Sequence, residues 1–449
     1  MKKVAFHNLG CKVNSYELDG ISQMFQKRGY EIVDFAQKAD IYIVNTCTVT
    51  NIADRKSRQM LSRAKALNPD AVVVAAGCYV QSDPEAAAKN TSVDIAVGNN
   101  HKSEIVDIVE EYLKNRDKAH TGSTVSDLAA PCDYEETPIA ATSGHTRAFL
   151  KIQDGCNQFC SYCAIPYVRG RVRSRRASDI MDEAQRLAQN GYKEVVITGI
   201  HLSSYGLEGP YNEFAAAGLT NTALLDVIEA VSGVQGIERI RLGSLEARLM
   251  TEGFTQRLAR IDKVCPHFHL SLQSGSDTVL KRMNRHYTVS EYEEKVDMIR
   301  SFYEHPAITT DTITGFPGES EEEFLQTRQF LQKIAPYECH IFKYSRRRGT
   351  AADKMDGQLT DAVKTERSKI LIRDSDERKR EFMSYYIGRE VLILTEDTEN
   401  EDGQIRTVGY TPEYVKVSIP GSESGLIRRI LCFEPGCDKI NGIMISEER

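Results

Sequence analysis

Short apolar runs alternate with amphipathic stretches through most of the chain. In the first 116 residues, strand-like runs fall at 3–8, 41–45, 71–76 and 94–97, and helical periodicity falls at 14–28, 52–67 and 101–116. Such alternation predicts an open, mostly parallel α/β sheet over 1–116. Residues 117–146 are rich in small polar side chains, lack periodicity and read as a linker. From 147 to 380 the alternation resumes. Strands are predicted near 148–153, 193–198, 237–242, 267–272, 308–314 and 338–343. Helices are predicted near 177–190, 222–232, 250–260, 288–304, 319–334 and 360–381. Six βα repeats predict a barrel or partial barrel with its site at the C-terminal ends of the strands. The tail, 385–449, changes period. Its β-branched runs at 390–395, 414–419 and 442–445, with turn signals such as Glu401-Asp402-Gly403-Gln404, predict a small antiparallel β-barrel of OB-like kind. The fold class is therefore multidomain α/β with a small all-β end.

Composition narrows the class. The chain has 449 residues, 41% hydrophobic and 27% charged, which excludes a disordered, fibrous or disulfide-stapled chain. The longest near-apolar run, 71–80, is too short to span a bilayer. The N-terminus MKKVAFHNLG carries only a three-residue apolar patch and does not read as a secretory signal, so a soluble cytoplasmic protein is expected. Net charge is −7, so nucleic-acid binding must rest on local patches. Three patches qualify. Arg169, Arg171, Arg173, Arg175 and Arg176 lie in an acid-free stretch; so do Arg55, Lys56, Arg58, Arg63 and Lys65; Arg346, Arg347 and Arg348 form a third group. From Tyr386 on there are 7 basic against 12 acidic residues, which leaves RNA binding there to a local face or to aromatics such as Tyr410 and Tyr414.

Eleven cysteines in a large chain of this kind point to metal or catalysis rather than disulfides. Cys156, Cys160 and Cys163 form a C-x3-C-x2-C cluster directly after the first barrel strand. Closely spaced thiolates bind soft metals. Structural zinc takes four closed ligands, and no fourth Cys or His follows closely, the next being His201. Three thiolates suit a 4Fe-4S cluster with one open iron; structural zinc with a distant ligand is the alternative. Cys11, Cys47 and Cys78 each stand just past the C-terminal end of one of the first three strands, in NLGCK, NTCTV and AAGCY. Ligands of open α/β sheets collect there, so these thiols can converge. No GxGxxG or Walker motif accompanies them. Cys132 reads as an exposed linker thiol, and Cys265 and Cys339 as buried small hydrophobes. Cys432 and Cys437 flank a Pro-Gly turn and leave a third metal site as an alternative.

The C-x3-C-x2-C spacing at the head of a βα barrel resembles the radical S-adenosylmethionine (SAM) enzymes. That resemblance implies that the amino and carboxylate groups of SAM chelate the open iron, and that an electron from the cluster releases a 5′-deoxyadenosyl radical. It implies SAM contacts at Tyr162, at Gly199 in Ile197-Thr198-Gly199, and at Gly315 in TITGFPGE. Glu246 in GSLEA and Gln273 in HLSLQSGS end the third and fourth strands and are expected to face the site. The plain alternatives are a core tyrosine and strand-end polarity.

Three spaced cysteines in an α/β domain, a radical-SAM barrel and a small β-barrel together resemble the methylthiotransferase family along nearly the whole chain. This implies a second 4Fe-4S cluster on Cys11, Cys47 and Cys78, and a C-terminal RNA-binding TRAM domain. It implies replacement of C–H by C–SCH3, with one SAM for the methyl group and another for the radical. The segment NTCTVTNIADRKSRQ resembles the branch that modifies carbon 2 of threonylcarbamoyladenosine beside the tRNA anticodon. IQDGCNQFCSYCAIPYVRGRVRSR, CPHFHLSLQSGSD and KRMNRHYT fit the same branch, while Gly243 and Lys343 stand where serine and proline are common. The expected partners are tRNA, a flavodoxin- or ferredoxin-like electron donor and a sulfur source, with no membrane and no DNA. No catalytic residue beyond the cluster ligands is expected. The alternatives are action on isopentenyladenosine or a ribosomal protein, and a non-catalytic iron–sulfur or zinc RNA-binding protein.

Overall fold

The computed structural model describes residues 1–115, 122–130, 132–142, 146–208, 222–401, 403–436 and 438–445. Six strands make the first sheet: β1 (Lys3–Asn8), β2 (Glu31–Val33), β3 (Ile41–Thr46), β4 (Val72–Gly77), β5 (Ile95–Val97) and β6 (Gly122–Thr124). Their order is 2-1-3-4-5-6, and every pair is parallel. β3 and β4 are buried at every position, as near-continuous apolar runs in a sheet covered on both faces require. Helices Lys12–Lys27 and Ile105–Lys114 cover one face through Leu18, Ile21, Phe25, Ile105 and Val109. Helix Asn51–Leu67 covers the other through Leu61 and Ala64. The chain leaves β1 toward one side of the sheet and returns through β3 on the other, so the topological switch point lies between β1 and β3.

The second unit carries β7 (Arg147–Asp154), β8 (Arg173–Ser174), β9 (Glu194–Gly199), β10 (Arg239–Leu242), β11 (His267–His269), β12 (Ala307–Thr314) and β13 (Glu338–Lys343). β7, β9 and β10 pair in parallel, as do β11, β12 and β13, and β8 pairs antiparallel with β7. The bridges Ile240↔Val264 and Leu245↔Leu270 join the two halves. Among the described residues β7 and β13 do not pair, so the result is a six-stranded partial barrel. Its helices run Ala177–Gln189, Thr222–Ser232, Glu252–Ala259, Val289–Phe302, Glu321–Ile334 and Asp361–Ser384. Capping boxes at Thr288/Glu291 and Ser320/Glu323 start two of them. Leu150, Ile152, Ile197 and Ile240 pack outward against this layer. Helix Lys12–Lys27 of the first unit lies against β7 and β9, and its Tyr16 hydroxyl donates to Glu183 at 3.0 Å.

The segment expected as a linker is packed. β6 extends the first sheet, Ile139 is buried in the partial-barrel core, and Glu136 pairs with Arg175 at 2.8 Å. Cys132 is not a free surface thiol: its sulfur accepts from Asn100 Nδ2 at 2.9 Å and from Arg173 Nη1 at 3.1 Å.

The last unit is a closed barrel of β14 (Glu390–Glu401), β15 (Gln404–Tyr410), β16 (Lys416–Pro420), β17 (Ile427–Pro435) and β18 (Ile440–Met444), in the order 14-15-16-18-17. Every pair is antiparallel except β16 with β18, which are parallel. Cys432 is fully buried in its core with Ile393, Val417 and Ile430, and Cys437 lies outside the described residues. Cys265 and Cys339 are buried, as expected of small hydrophobes.

Tyr410 and Tyr414 do not offer a free stacking surface for RNA. They stack on each other at 4.7 Å. Arg147 lies over both rings, and Arg241 lies over Tyr414. Arg239 donates to the carbonyls of Tyr410 and Leu392, both at 2.9 Å. The two tyrosines thus pack on arginines at the N-terminal ends of β7 and β10.

Candidate active site

The loop after β7 is shaped by one glycine and one strained residue. A Cβ on Gly155 (φ +71°) would stand 1.8 Å from the Arg171 carbonyl, so only glycine fits. Phe159, between Cys156 and Cys160, has φ +47°, an uncommon conformation for a bulky side chain. Asn284 Nδ2 holds the Phe159 carbonyl at 3.0 Å, and Ser161 bonds to the Met283 and Arg282 carbonyls. This folding turns the three thiols toward one another. Cys156 is pushed well above the usual thiol range, first by burial and then by Cys160 and Cys163. Burial and Cys160 push Cys163 up to about 12. The Gln158 amide donates to Cys156 Sγ at 3.5 Å, and Arg285 Nη1 to Cys160 Sγ at 3.3 Å.

The first sheet brings its three thiols together at its switch point. Cys11 follows β1, Cys47 follows β3 and Cys78 follows β4. Gly10 has φ +118°, and a Cβ there would meet Cys47 Sγ at 3.3 Å. Asn14 clamps two of the loops, donating to the Leu9 carbonyl at 2.7 Å and to the Thr46 carbonyl at 3.1 Å. Asn99 Nδ2 reaches Cys78 Sγ at 3.6 Å and the Val168 carbonyl at 2.6 Å. Cys47 is raised to about 11, first by burial and then through Cys78 and Cys11, against a backbone hydrogen bond that lowers it.

Six residues, Ala164 to Arg169, run from one thiol set to the other. Ile165 lines the cavity beside Cys163. Val168 is held by Asn99. Arg169 is fully buried and bonds Asn14, Glu17 and Asp154. Its charge lowers Cys11, although burial raises that thiol more. Around it Glu17 also accepts from Lys102 and Lys151, and Asp154 from Lys151 at 2.7 Å, with Arg173 3.7 Å away. Four buried cations therefore surround two carboxylates. Such an excess in the interior is expensive unless anions lie beside it, and deprotonated thiolates are the anions at hand.

A cavity of about 200 Å³ opens on the barrel thiols, lined among others by Tyr162, His201, Glu246, Gln273 and Arg285. Three of the five residues expected to contact SAM are there: Tyr162, Glu246 and Gln273. Gly199 is not; it packs on Gln153, whose atoms a Cβ would meet within 3 Å. Gly315 is not either; it lies under Lys364 and donates its amide to Glu319 at 2.8 Å. Gln273 has φ +73°, a strained backbone for a non-glycine residue at a site. Glu246 is held at about 2; burial raises it, and His201 and Arg248 more than offset this. Sequence reasoning missed His201 and Arg285, although Arg285 sits inside the quoted KRMNRHYT.

The donor sets fit iron–sulfur clusters. Each set is three thiols, which bind iron as thiolates and so release their protons to an arriving cation. Among the described residues, no three His, Cys, Asp or Glu side chains close to single-ion distance; the corners of a cluster hold their thiolates farther apart.

The basic runs divide differently from expectation. Arg169, Arg173 and Arg175 are buried in ion pairs. Arg347 is buried against Asp54 and Thr48 of the first unit, at 2.7 and 2.6 Å. Arg55, Lys56, Arg58 and Arg63 are exposed along helix Asn51–Leu67, just past Cys47. Lys343, at the position where proline is common, pairs with Asp361 at 3.0 Å.

Residues 3–98 match the uncharacterized protein family UPF0004, and residues 150–331 match the radical SAM superfamily. A threonylcarbamoyladenosine tRNA methylthiotransferase MtaB of Bacillus subtilis is 42% identical over 424 residues, 94% of this chain and 91% of that protein. The chain belongs to the MtaB-type methylthiotransferase family. Its counterpart from Aquifex aeolicus is also 42% identical, over 89% of this chain and 95% of its own. A tRNA-2-methylthio-N(6)-dimethylallyladenosine synthase of Alkaliphilus oremlandii is 33% identical over 99% of this chain and 93% of its own. The radical SAM methyltransferase TsrM of Kitasatospora setae, solved with cobalamin and a [4Fe-4S] cluster, superposes with a TM-score of 0.56 at 15% identity over 78% of this chain and 77% of its own. This likeness concerns the fold. No helix among the described residues is long and apolar enough to cross a membrane.

Proposed function

We propose that this protein methylthiolates carbon 2 of threonylcarbamoyladenosine in tRNA, next to the anticodon, by radical SAM chemistry. The observation that carries the reading is the 42% identity to MtaB-type relatives along nearly the whole chain, against 33% to the dimethylallyladenosine enzyme. Cys156, Cys160 and Cys163 are assigned to one 4Fe-4S cluster and Cys11, Cys47 and Cys78 to the other. When bound, the clusters supply the electron that cleaves SAM and the site that delivers methylated sulfur. The chain's own residues bind and orient. Tyr162, Glu246, Gln273, His201 and Arg285 line the SAM cavity, with Glu246 ionised to accept hydrogen bonds. Gly199 and Gly315 act there by shaping backbone, since neither faces the cavity. Segment 164–169 fixes the spacing of the two thiol sets, and Tyr410 and Tyr414 pack on arginines at the N-terminal ends of β7 and β10.

The first sheet, the two half-barrel sheets and the closed barrel support a division near 1–116, 147–380 and 385–449, with β6 carrying the first unit on to Thr124. A flavodoxin- or ferredoxin-like protein in the cytoplasm supplies electrons, and a separate donor supplies sulfur. Mass spectrometry of tRNA nucleosides tests the reading. A deletion strain is expected to lose 2-methylthio-threonylcarbamoyladenosine and keep its isopentenyl counterpart. Loss of the isopentenyl product instead would reassign the substrate.

The exposed cations of helix Asn51–Leu67 face tRNA phosphates in this reading. Arg55→Ala, Lys56→Ala and Arg63→Ala are each expected to weaken tRNA binding and reduce the slope of log affinity against log salt by about 1. An unchanged slope in all three would turn that helix away from the RNA. Deleting 385–449 is a poorer test than point substitution, because it would uncover Arg147, Arg239 and Arg241 together.

A further inference from the structure

Arg169 belongs to the barrel chain but is bound into the N-terminal thiol site. It is fully buried. Its Nη1 donates to Glu17 at 2.5 Å and to Asp154 at 3.1 Å. Its Nη2 donates to Glu17 at 3.1 Å and to Asn14 Oδ1 at 2.5 Å. Cys11 Sγ lies 3.9 Å from that same Asn14 oxygen. The two distances together place Nη2 within about 6.4 Å of the sulfur, a range at which charges in protein interact strongly. On the other side, the Asn99 amide that holds the Val168 carbonyl at 2.6 Å also reaches Cys78 Sγ at 3.6 Å. Arg169 Nε is buried and finds no acceptor among the described residues. Glu17 and Asp154 do not cancel the guanidinium, because Lys102, Lys151 and Arg173 share them. The barrel thiols face other charges: Arg285 Nη1 stands 3.3 Å from Cys160 Sγ, and Glu246 lines the same cavity.

We propose that Arg169 raises the reduction potential of the cluster held by Cys11, Cys47 and Cys78, and so prepares that cluster to keep one electron when its sulfur is transferred. Net charge and polar contacts around an iron–sulfur cluster set its potential, and a buried positive charge favours the reduced form. The electron count gives the reason. The hydrogen of carbon 2 leaves with the 5′-deoxyadenosyl radical. The remaining carbon radical forms the C–S bond from its own electron and one electron of the Fe–S bond that breaks. The other electron of that bond stays on the cluster. This purpose rests on the function proposed above, whereas the charge effect rests only on the three thiols holding a cluster.

The test is a redox titration followed by electron paramagnetic resonance on the anaerobically reconstituted full chain. Cys156→Ala, Cys160→Ala and Cys163→Ala are combined, so that only the N-terminal cluster is read. In that background Arg169→Gln is expected to cut the ratio of reduced to oxidised cluster at a fixed potential at least about tenfold, a midpoint lowered by about 59 mV or more for one electron. Arg169→Lys is expected to restore most of it, and Glu17→Gln, which removes a negative charge, to move the midpoint upward. In the reciprocal chain with Cys11→Ala, Cys47→Ala and Cys78→Ala, Arg169→Gln is expected to shift the barrel cluster less. A midpoint unmoved by Arg169→Gln in the iron-loaded chain overturns the role given to Arg169 and leaves the function standing. Shifts of the same sign in Arg169→Gln and Glu17→Gln also overturn it, since they report a loosened loop rather than charge. So does an equal shift of the barrel cluster. If Arg169→Gln takes up no iron, Glu17→Gln decides: an upward shift supports the assignment, and no shift or a downward one overturns it. A chain lacking the barrel cysteines that binds no iron overturns the cluster assignment, and with it the proposed function.

Discussion

Cys47→Ala is expected to keep forming 5′-deoxyadenosine from SAM under dithionite while methylthio product falls below about one hundredth of wild type. Cys156→Ala, Cys160→Ala and Cys163→Ala are expected to lose both. Metal-site variants that disturb only supporting residues already cost about 10–100-fold, so loss of a ligand sets at least that scale. Iron should fall from about eight to about four per chain in either class, one cluster at a time. Cys47 is the best of the N-terminal three for this purpose. Cys78 is tied through Asn99 to Val168, and the Cys11 loop through Asn14 to Arg169, so both reach the barrel. The Cys47 amide itself is held by Ser57 of its own unit, at 3.3 Å, and only its neighbours Thr46 and Thr48 reach Asn14 and Arg347. Wild-type methylthiolation by Cys47→Ala with its barrel cluster intact would refute the division of labour between the two thiol sets. Loss of 5′-deoxyadenosine from Cys47→Ala would mean that the sets are not separable.

The sequence was most legible where one periodicity covered a whole element. Residues 41–45 and 71–76 read as strands because every position but Asn45 is apolar, and the structure buries Ile41–Thr46 and Val72–Gly77 throughout. All six barrel strands and their helices lie where alternation put them. Strands interrupted by arginines were harder. β15 and β17 carry Arg406, Arg428 and Arg429, so neither stands out as a β-branched run. β2 and β6 have three residues each, too few to show a period. The cysteines were legible because their chemistry is rare and their position at strand ends is fixed by the fold class.

What the sequence could not show is which charges meet. Arg169 and its neighbours look like an RNA-binding run, but their carboxylates lie far off in the chain. Glu17 is 152 residues from Arg169, and Asp54 is 293 residues from Arg347. Tyr410 and Tyr414 look like a base-stacking pair until Arg147 and Arg241 are placed on them.

The buried charges between the first two units carry the second large expectation. Glu17→Ala is expected to destabilise the contact by about 3–5 kcal/mol, the range for breaking a buried ion pair from one side. Lys102 is 1% exposed and pairs with Glu17, so the substitution leaves its ammonium dry and alone. It also leaves Lys151, Arg169 and Arg173 sharing Asp154. Removing a cation should cost less, because cations are in excess: Arg169→Met leaves three against two. Limited proteolysis and thermal unfolding of the iron-loaded protein measure the difference. Adding Lys102→Met to Glu17→Ala should recover part of the loss, since it removes the stranded charge. Recovery in the double variant identifies desolvated charge as the cause. A single Glu17→Ala variant that melts with the wild type would show that the two units are held by their apolar contacts alone. Chelating the iron should act in the same direction as Glu17→Ala. With the thiols protonated again, the four cations lose the nearby anions that balance them.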